Sequence, residues 1–160
     1  MSRKFHVAIL GVTGAVGEAL LEKLAERRFP VGEITLLASP RSAGLSYRYD
    51  ETKVPVVAAD ASSFEGVDVA FLSAGASRSR EFAPVVLAQG GVVIDNSSAF
   101  RMDAEVPLVI PEINPEALSA ETKIVANPNC TAAIMLMAVS PLRSLGTITR
   151  LLVSTYQSAS

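Results

Sequence analysis

The sequence predicts an α/β fold, a doubly wound and mainly parallel sheet followed by the beginning of a second, α+β domain. Short apolar segments alternate with helical ones, as the right-handed crossovers of such a sheet require. The first apolar segment ends in glycine and a helix follows at once, which is typical of a strand buried on both faces. A chain of 160 residues also buries roughly 70% of its unfolded surface, enough for one core without a disulfide or metal.

The predicted elements alternate along the first two thirds of the chain. The first strand covers residues 5–10, and the helix after it begins at Ala15. Its apolar residues recur at helical spacing, at Val16, Ala19, Leu20 and Leu24. Further strands are predicted over 33–38, 67–72 and 92–95, with a helix over 79–89 that is ended by two glycines.

The remaining segments are less regular. Residues 45–55 predict a small hairpin or a loop, and 102–120 predict no helix. An apolar helix is predicted over 131–139; it lies in an uncharged stretch that prolines and asparagines bound, so we expect a buried helix and no membrane span. A strand is predicted over 148–156. We therefore expect a nucleotide-binding domain over 1–128 and a truncated catalytic domain over 129–160.

Composition excludes several classes of protein. The formal net charge of −2 and the lack of a basic run argue against nucleic acid as a partner. One cysteine and one histidine allow no intrachain disulfide and make a structural zinc site implausible, so no metal is expected. A single cysteine fits a reducing compartment, and we expect the cytoplasm. The apolar start of the chain is broken by glycines, so we do not interpret it as a signal peptide.

Three glycines connect the first strand to its helix. Gly11, Gly14 and Gly17 stand at a three-residue spacing. Glycines let the backbone approach a pyrophosphate, and the helix N-terminus supplies N–H groups and a positive dipole end. A plain structural turn is the alternative, but the strand before and the helix after favour a Rossmann-type dinucleotide site.

The end of the second strand indicates which dinucleotide is bound. An acidic side chain that would hold a ribose 2′-hydroxyl is expected about 20 residues past the glycines, and none is present there. Arg41 can instead donate to a 2′-phosphate, and Ser39 and Ser42 add hydroxyl donors. NADP is therefore favoured over NAD, although a solvated loop arginine is the alternative interpretation of Arg41.

The only cysteine of the sequence lies at a predicted helix start. Asn129 is a good N-cap, so Cys130 falls in the first turn, where free N–H groups and the helix dipole favour a thiolate. A nucleophilic thiolate beside a nicotinamide suits aldehyde oxidation or acyl-phosphate reduction through a thioester, with Asn129 as an oxyanion donor. A buried structural cysteine is the other possibility, and spacing alone leaves both open.

Five motifs in order give the chain a specific resemblance. They are Gly11 to Gly17, Ser39 to Gly44, Asp95 to Met102, Asn127 to Thr131 and Ser154 to Gln157. Together they resemble aspartate-semialdehyde dehydrogenases, from end to end of the chain but over only the cofactor domain and the first part of the catalytic domain. The resemblance implies that Cys130 is the thioester nucleophile, that Gln157 orients the substrate and that Arg101 binds its phosphate. It also implies NADP contacts from Thr13, Gly14, Ala15, Val16, Arg41 and Ser42, with Ser160 near the nicotinamide.

The resemblance implies an activity that this chain does not complete. It is the NADP-dependent conversion of aspartyl 4-phosphate to aspartate 4-semialdehyde and inorganic phosphate, in lysine, threonine and methionine biosynthesis, by a homodimer or homotetramer. The family's acid/base histidine and substrate-binding arginine lie beyond Ser160. We therefore expect an inactive fragment that still binds NADPH weakly.

Two alternatives remain. The N-acetyl-γ-glutamyl-phosphate reductase type shares the glycine loop and the chemistry, but its cysteine precedes Tyr-Pro, whereas Thr131 and Ala132 follow Cys130 here. A non-catalytic NADPH-binding module, in which Cys130 is part of the core, is the other. Without the resemblance, Arg101 and Gln157 are surface polar residues.

Overall fold

The computed structural model describes residues 3–156 and confirms the predicted α/β architecture. Its strands are β1 (Phe5–Leu10), β2 (Val31–Ala38), β3 (Ser46–Tyr49), β4 (Thr52–Ala58), β5 (Val69–Leu72), β6 (Val92–Asp95) and β7 (Ile124–Ala126). They form one sheet in the order β3-β4-β2-β1-β5-β6-β7. The β3–β4 pair is antiparallel and the other neighbouring pairs are parallel. This is the doubly wound arrangement of Rossmann-type domains.

Helices cover the two faces of the sheet. Helix α1 (Ala15–Glu26) packs on the face to which Val7 and Ile9 point, and α2 (Ala76–Ala88) packs on the face to which Ala8 and Leu10 point. Successive side chains of a strand point to opposite faces. Since all four residues are fully or almost fully buried, β1 is the centre of two separate cores.

The structure adjusts the predicted boundaries. Strand β2 begins two residues earlier than predicted, α2 three residues earlier, and β5 two residues later. The predicted hairpin is confirmed as β3 and β4. Two features were not predicted: strand β4 continues to Ala58 and pairs with β2, and residues Ile124–Ala126 form strand β7.

The buried face of α1 differs from the predicted one. Gly17, Leu21 and Leu24 are buried, whereas Val16 and Ala19 are exposed. The reason is the close approach of Gly17 to the glycine loop, which turns this side of the helix towards the sheet. The apolar row of Val16, Ala19 and Leu20 instead borders an open cavity.

The segment after β7 contradicts two expectations. Helix α3 (Cys130–Val139) forms where a helix was predicted, but none of its residues is buried. The strand predicted over 148–156 is absent, because no strand among the described residues pairs with this exposed stretch and a single strand has no partner for its hydrogen bonds. Within residues 3–156, no helix is long and apolar enough to cross a membrane.

Candidate active site

The carboxyl ends of the parallel strands open into a cavity of about 290 Å³. In doubly wound folds, ligands bind at this edge of the sheet. Its lining comes from the glycine loop, the ends of β1 and β2, the residues after β2 and β4, the turn after β5 and the first turn of α2: Leu10, Gly11, Thr13, Gly14, Ala38, Ser39, Ala59, Ser73, Ala74 and Arg78. Three sequence-predicted contacts of the pyrophosphate, Gly11, Thr13 and Gly14, therefore lie together on one wall.

The three glycines of the loop have different roles. A Cβ on Gly17 would lie 2.3 Å from the carbonyl oxygen of Gly11, and one on Gly11 would lie 2.7 Å from the carbonyl oxygen of Ser73. Both glycines are therefore required by close backbone packing. A Cβ on Gly14 would meet only the Gly11 carbonyl, at an ordinary 3.5 Å, so space remains beside Gly14.

This open space suits a bound dinucleotide. Gly14 is the N-cap of α1 and its side of the loop lines the cavity. A pyrophosphate at this point meets free backbone N–H groups and the positive end of the helix dipole. The loop therefore fits the phosphate group that the sequence predicts, and Gly14 is the glycine that admits it.

The residues predicted to select NADP over NAD lie just beyond β2. Ser39 lines the cavity, whereas Arg41 and Ser42 lie on the short 3₁₀ turn Pro40–Ser42 that follows it. The side chain of Arg41 is exposed and does not line the cavity. Its position at the carboxyl end of β2 is where a ribose 2′-phosphate is held in this fold.

A second cavity, of about 370 Å³, lies between α1 and the neighbouring face of the sheet. Ser73 lines both cavities, so the two meet at the end of β5. The second cavity is mostly apolar and is lined by Val16, Ala19, Leu20, Lys23, Phe71, Leu72, Ser73, Ile94, Asn96 and Asn127. Lys23 pairs with Glu26, and this hydrogen bond raises the pKa of Lys23.

Arg101 fastens the segment before the cysteine to the sheet. Its Nε donates to the carbonyl oxygen of Asn127 at 2.9 Å, and its Nη2 donates to the carbonyl oxygen of Asn96 at 3.1 Å. The Asn127 amide also donates to the side-chain oxygen of Asn96, and its backbone N–H donates to the carbonyl of Asp95. We name Asn96, Arg101 and Asn127 the Arg101 clamp.

A buried carboxylate supports this clamp. Asp95, the last residue of β6, is fully buried and accepts hydrogen bonds from the hydroxyls of Ser79 at 2.6 Å and Ser97 at 2.8 Å. Ser79 belongs to α2 and Ser97 to the loop that leads to Arg101. A buried polar group requires such partners, and here they join helix, strand and loop into one unit.

Cys130 lies three residues beyond the clamp. It is the first residue of α3, and its side chain is exposed. The side chain of Asn129 accepts a hydrogen bond from the backbone N–H of Thr131 at 3.0 Å, which confirms Asn129 as the N-cap. Among the described residues the thiol is therefore exposed, in the first turn of a helix, and is not part of the core.

The structure brings most of the predicted site residues to one edge of the sheet. Ala15 and Val16 begin α1 there, and Val16 lines the second cavity. Gln157 and Ser160 lie outside the described residues. Five further lining residues were not predicted: Ala59, Ser73, Ala74, Arg78 and Asn96. The turn Ser73-Ala74-Gly75 after β5 was the available signal, because loops at this edge of the sheet form the site.

Fold and site together define a dinucleotide-binding α/β domain that carries an exposed cysteine close to its ligand edge. The family described as "Semialdehyde dehydrogenase, NAD binding domain" matches residues 6–121. The chain belongs to this family.

Individual relatives agree with this assignment. The chain is 54% identical over 160 residues to the aspartate-semialdehyde dehydrogenase of Synechocystis sp., covering all of the chain and 47% of that protein. It is 45% identical over 160 residues to the Bacillus subtilis aspartate-semialdehyde dehydrogenase, covering 100% of the chain and 46% of that protein. The chain thus spans about half the length of the curated relatives it matches.

A solved structure supports the fold at similar identity. Aspartate-semialdehyde dehydrogenase II from Vibrio cholerae, solved in complex with ASA, is 48% identical and superposes with a TM-score of 0.81. The match covers 89% of this chain and 47% of that one. The sequence-based resemblance to aspartate-semialdehyde dehydrogenases is confirmed.

Proposed function

We propose that the chain is the cofactor-binding and nucleophile-bearing part of an NADP-dependent aspartate-semialdehyde dehydrogenase. The whole enzyme would reduce aspartyl 4-phosphate to aspartate 4-semialdehyde and release inorganic phosphate, in the biosynthesis of lysine, threonine and methionine. The observation that carries this proposal is the Arg101 clamp, because it joins the segment that bears exposed Cys130 to the same sheet edge as the glycine loop.

The two cavities suit the two halves of the dinucleotide. Each has a volume near the lower limit for ligand sites, and they meet at Ser73 on either side of the glycine loop. The first cavity, which Ser39 lines, takes the adenosine half, with Arg41 and Ser42 beside the 2′-phosphate. The second takes the nicotinamide half against Val16, with Asn127 leading from its wall to the cysteine. Gly11, Thr13, Gly14, Ala15 and Gly17 form the pyrophosphate turn between them.

Cys130 performs the covalent step. Its thiolate attacks the carbonyl carbon of the acyl phosphate, the bond from that carbon to the phosphate oxygen breaks, and inorganic phosphate leaves with the electron pair. The product of this step is a thioester on Cys130. NADPH, when bound, supplies the hydride that reduces the acyl group to the aldehyde.

Polar groups near the cysteine stabilise charge in this step. Asn129 and the backbone N–H groups of the first turn of α3 are suited to the oxyanion, since such donors work best when the fold has already fixed them. Two nitrogens of Arg101, Nε and Nη2, donate to backbone carbonyls, and its Nη1 would donate to the phosphate group. Gln157 would orient the substrate and Ser160 would approach the nicotinamide.

The finer features of the whole enzyme follow the same proposal. The cofactor domain ends near residue 128, and 129–160 begins the catalytic domain. We place the enzyme in the cytoplasm, which the single cysteine suits. We propose that it forms a homodimer or a homotetramer. The exposed apolar side chains of the later segment, among them Ile134 and Leu145, suit a contact surface for another part of such an enzyme.

The reactivity of Cys130 tests the proposal. Iodoacetamide labelling is followed by mass spectrometry at neutral pH, with glutathione as the unactivated thiol and Cys130→Ser as the control for specificity. We expect the chain to react faster than glutathione, because the first turn of a helix favours the thiolate. A rate at or below that of glutathione would favour the non-catalytic NADPH-binding module.

A turnover assay tests the second part of the proposal. The chain is incubated with NADP⁺, phosphate and aspartate semialdehyde, and NADPH is followed by its absorbance. We expect no NADPH, because the acid/base residue is not within these 160 residues. Sustained turnover would show that the chain itself supplies the missing proton transfer.

A further inference from the structure

The first cavity has a single charged side chain among the described residues that line it, that of Arg78. Arg78 lies in the first turn of α2, the helix that follows β5, and the proposed function gives it no role. We propose that Arg78 binds the adenine ring of the dinucleotide by stacking its planar guanidinium on the base. This inference rests on the proposed binding of NADP and names the residue that recognises the adenine.

The guanidinium is held in place from two directions. Its Nη1 donates to the carboxylate of Glu81 at 2.6 Å, and its central carbon lies over the ring of Phe82, 5.7 Å from the ring centroid. Phe82 is buried and packs on Phe64 at 5.2 Å between centroids, so the ring behind Arg78 belongs to the core. The side chain of Arg78 is still 43% exposed and therefore accessible to a ligand.

The charges favour a base over a phosphate at this position. Glu81 already neutralises Arg78, and a phosphate brought to this pair would meet the carboxylate as well. Two other residues that line the cavity, Ala38 and Ala59, are short and apolar and match the flat face of a purine. Arginine stacks well on aromatic rings because its guanidinium is planar and weakly hydrated.

Arg41 and Arg78 would therefore contact different parts of the adenosine half of the nucleotide, the 2′-phosphate and the base respectively. The exposed Arg41 follows Ser39 on the 3₁₀ turn, where a 2′-phosphate is expected. Arg78 faces the cavity from α2, across from the Ser39 side. A contact with the base is made with NADPH and NADH alike, whereas a contact with the 2′-phosphate is made with NADPH alone.

Titration with both nucleotides separates these roles. The binding of NADPH and NADH is followed by nucleotide fluorescence in low and high salt, for the unmodified chain, Arg78→Ala, Arg78→Met and Arg41→Ala. Arg78→Met keeps an apolar stem against Phe82. Arg27→Ala also removes one positive charge and serves as the matched control. Arg27 caps the C-terminus of α1, about 18 Å along that helix from the glycine loop.

We expect both Arg78 variants to bind NADPH and NADH more weakly by the same factor, about 5- to 20-fold, and high salt to change this factor little. Arg41→Ala should weaken NADPH alone, and high salt should diminish its effect. Unchanged affinity in either folded Arg78 variant overturns the stacking proposal, and so does a loss confined to NADPH. If the unmodified chain binds neither nucleotide, the proposed function fails together with it.

Discussion

Residues 5–126 and residues 130–156 differ in almost every structural respect. The first region buries 25 hydrophobic residues around a seven-stranded sheet, whereas in the second no side chain is buried among the described residues. Yet α3 is apolar on all sides. The nucleotide-binding region thus has a hydrophobic core of its own, whereas the apolar side chains of the cysteine-bearing region are not packed into a core.

The difference shows how the proposed site is divided. The sheet edge, the glycine loop and the Arg101 clamp depend on contacts within the first region. Cys130 depends on that region for its position, but α3 packs on nothing of comparable extent. Binding of a nucleotide should therefore be a property of the first region, whereas the proposed catalysis should depend on both regions.

The largest expected effect compares one substitution in the two regions. Ile9→Ala removes a fully buried side chain at the centre of the sheet, and we expect it to lower the free energy of unfolding by about 2–5 kcal/mol. Ile134→Ala makes the same chemical change on α3, where the side chain is 73% exposed, and should stay within about 0.5 kcal/mol. Urea unfolding measures both. Equal losses would show that α3 is packed in solution.

A second comparison lies within the glycine loop. Gly17→Ala places a methyl group 2.3 Å from the Gly11 carbonyl oxygen and should destabilise the fold by about 1–3 kcal/mol, because backbone must move. Gly14→Ala has room and an extended backbone that alanine adopts, so we expect its stability to change by less than about 1 kcal/mol.

Nucleotide titration distinguishes the same two variants further. Gly14→Ala should bind NADPH at least 10-fold more weakly, because its methyl group prevents the close approach of the pyrophosphate. A tenfold loss corresponds to ~1.4 kcal/mol of binding free energy. Normal NADPH affinity in Gly14→Ala would mean that the pyrophosphate does not pass this residue.

The smallest effect concerns acid stability of the first region. Asp68 accepts hydrogen bonds from the backbone N–H of His6 at 2.9 Å and from Arg3 at 2.7 Å. The His6 bond first, and then Arg3, hold the pKa of Asp68 below its ordinary value of 3.8. The ionised carboxylate therefore stabilises the fold above the unfolded pKa, and this contribution disappears as the pH falls through the lower folded pKa.

Asp68→Asn tests this sign. We expect the variant to be less stable than the unmodified chain at pH 7, with a difference that shrinks as the pH approaches 3. Urea unfolding at pH 7, 5 and 3 gives the comparison, and Glu112→Gln, an exposed carboxyl, is the control for net charge. A difference that does not depend on pH would assign the effect to geometry alone.

Local sequence signals predicted the first region well. Continuous apolar runs such as 5–10 and 92–95 identify strands buried on both faces, and glycines mark the turn to α1. They failed where tertiary contacts decide the outcome. Strand β7 has only three residues and was not predicted, and the predicted strand over 148–156 has no neighbour to pair with.

The site was predictable to the extent that it is local in sequence. The glycine loop and the N-cap before Cys130 each lie within a few residues, and both are where the sequence predicts. Ser73, Asn96 and Arg78 enter the site only because β1, β5 and β6 are neighbours in the sheet. Strand order cannot be obtained from spacing, so their participation was not predicted.

The Arg101 clamp limits how the sulfur can travel. One guanidinium binds main-chain oxygens of both Asn96 and Asn127, and buried Pro128 has a fixed φ angle directly after Asn127. Any swing of α3 relative to the sheet must therefore pivot downstream of Pro128, within two residues of Cys130. Because Cys130 lies so close to this pivot, any such rotation of α3 would displace its thiol less than it displaces the far end of the helix.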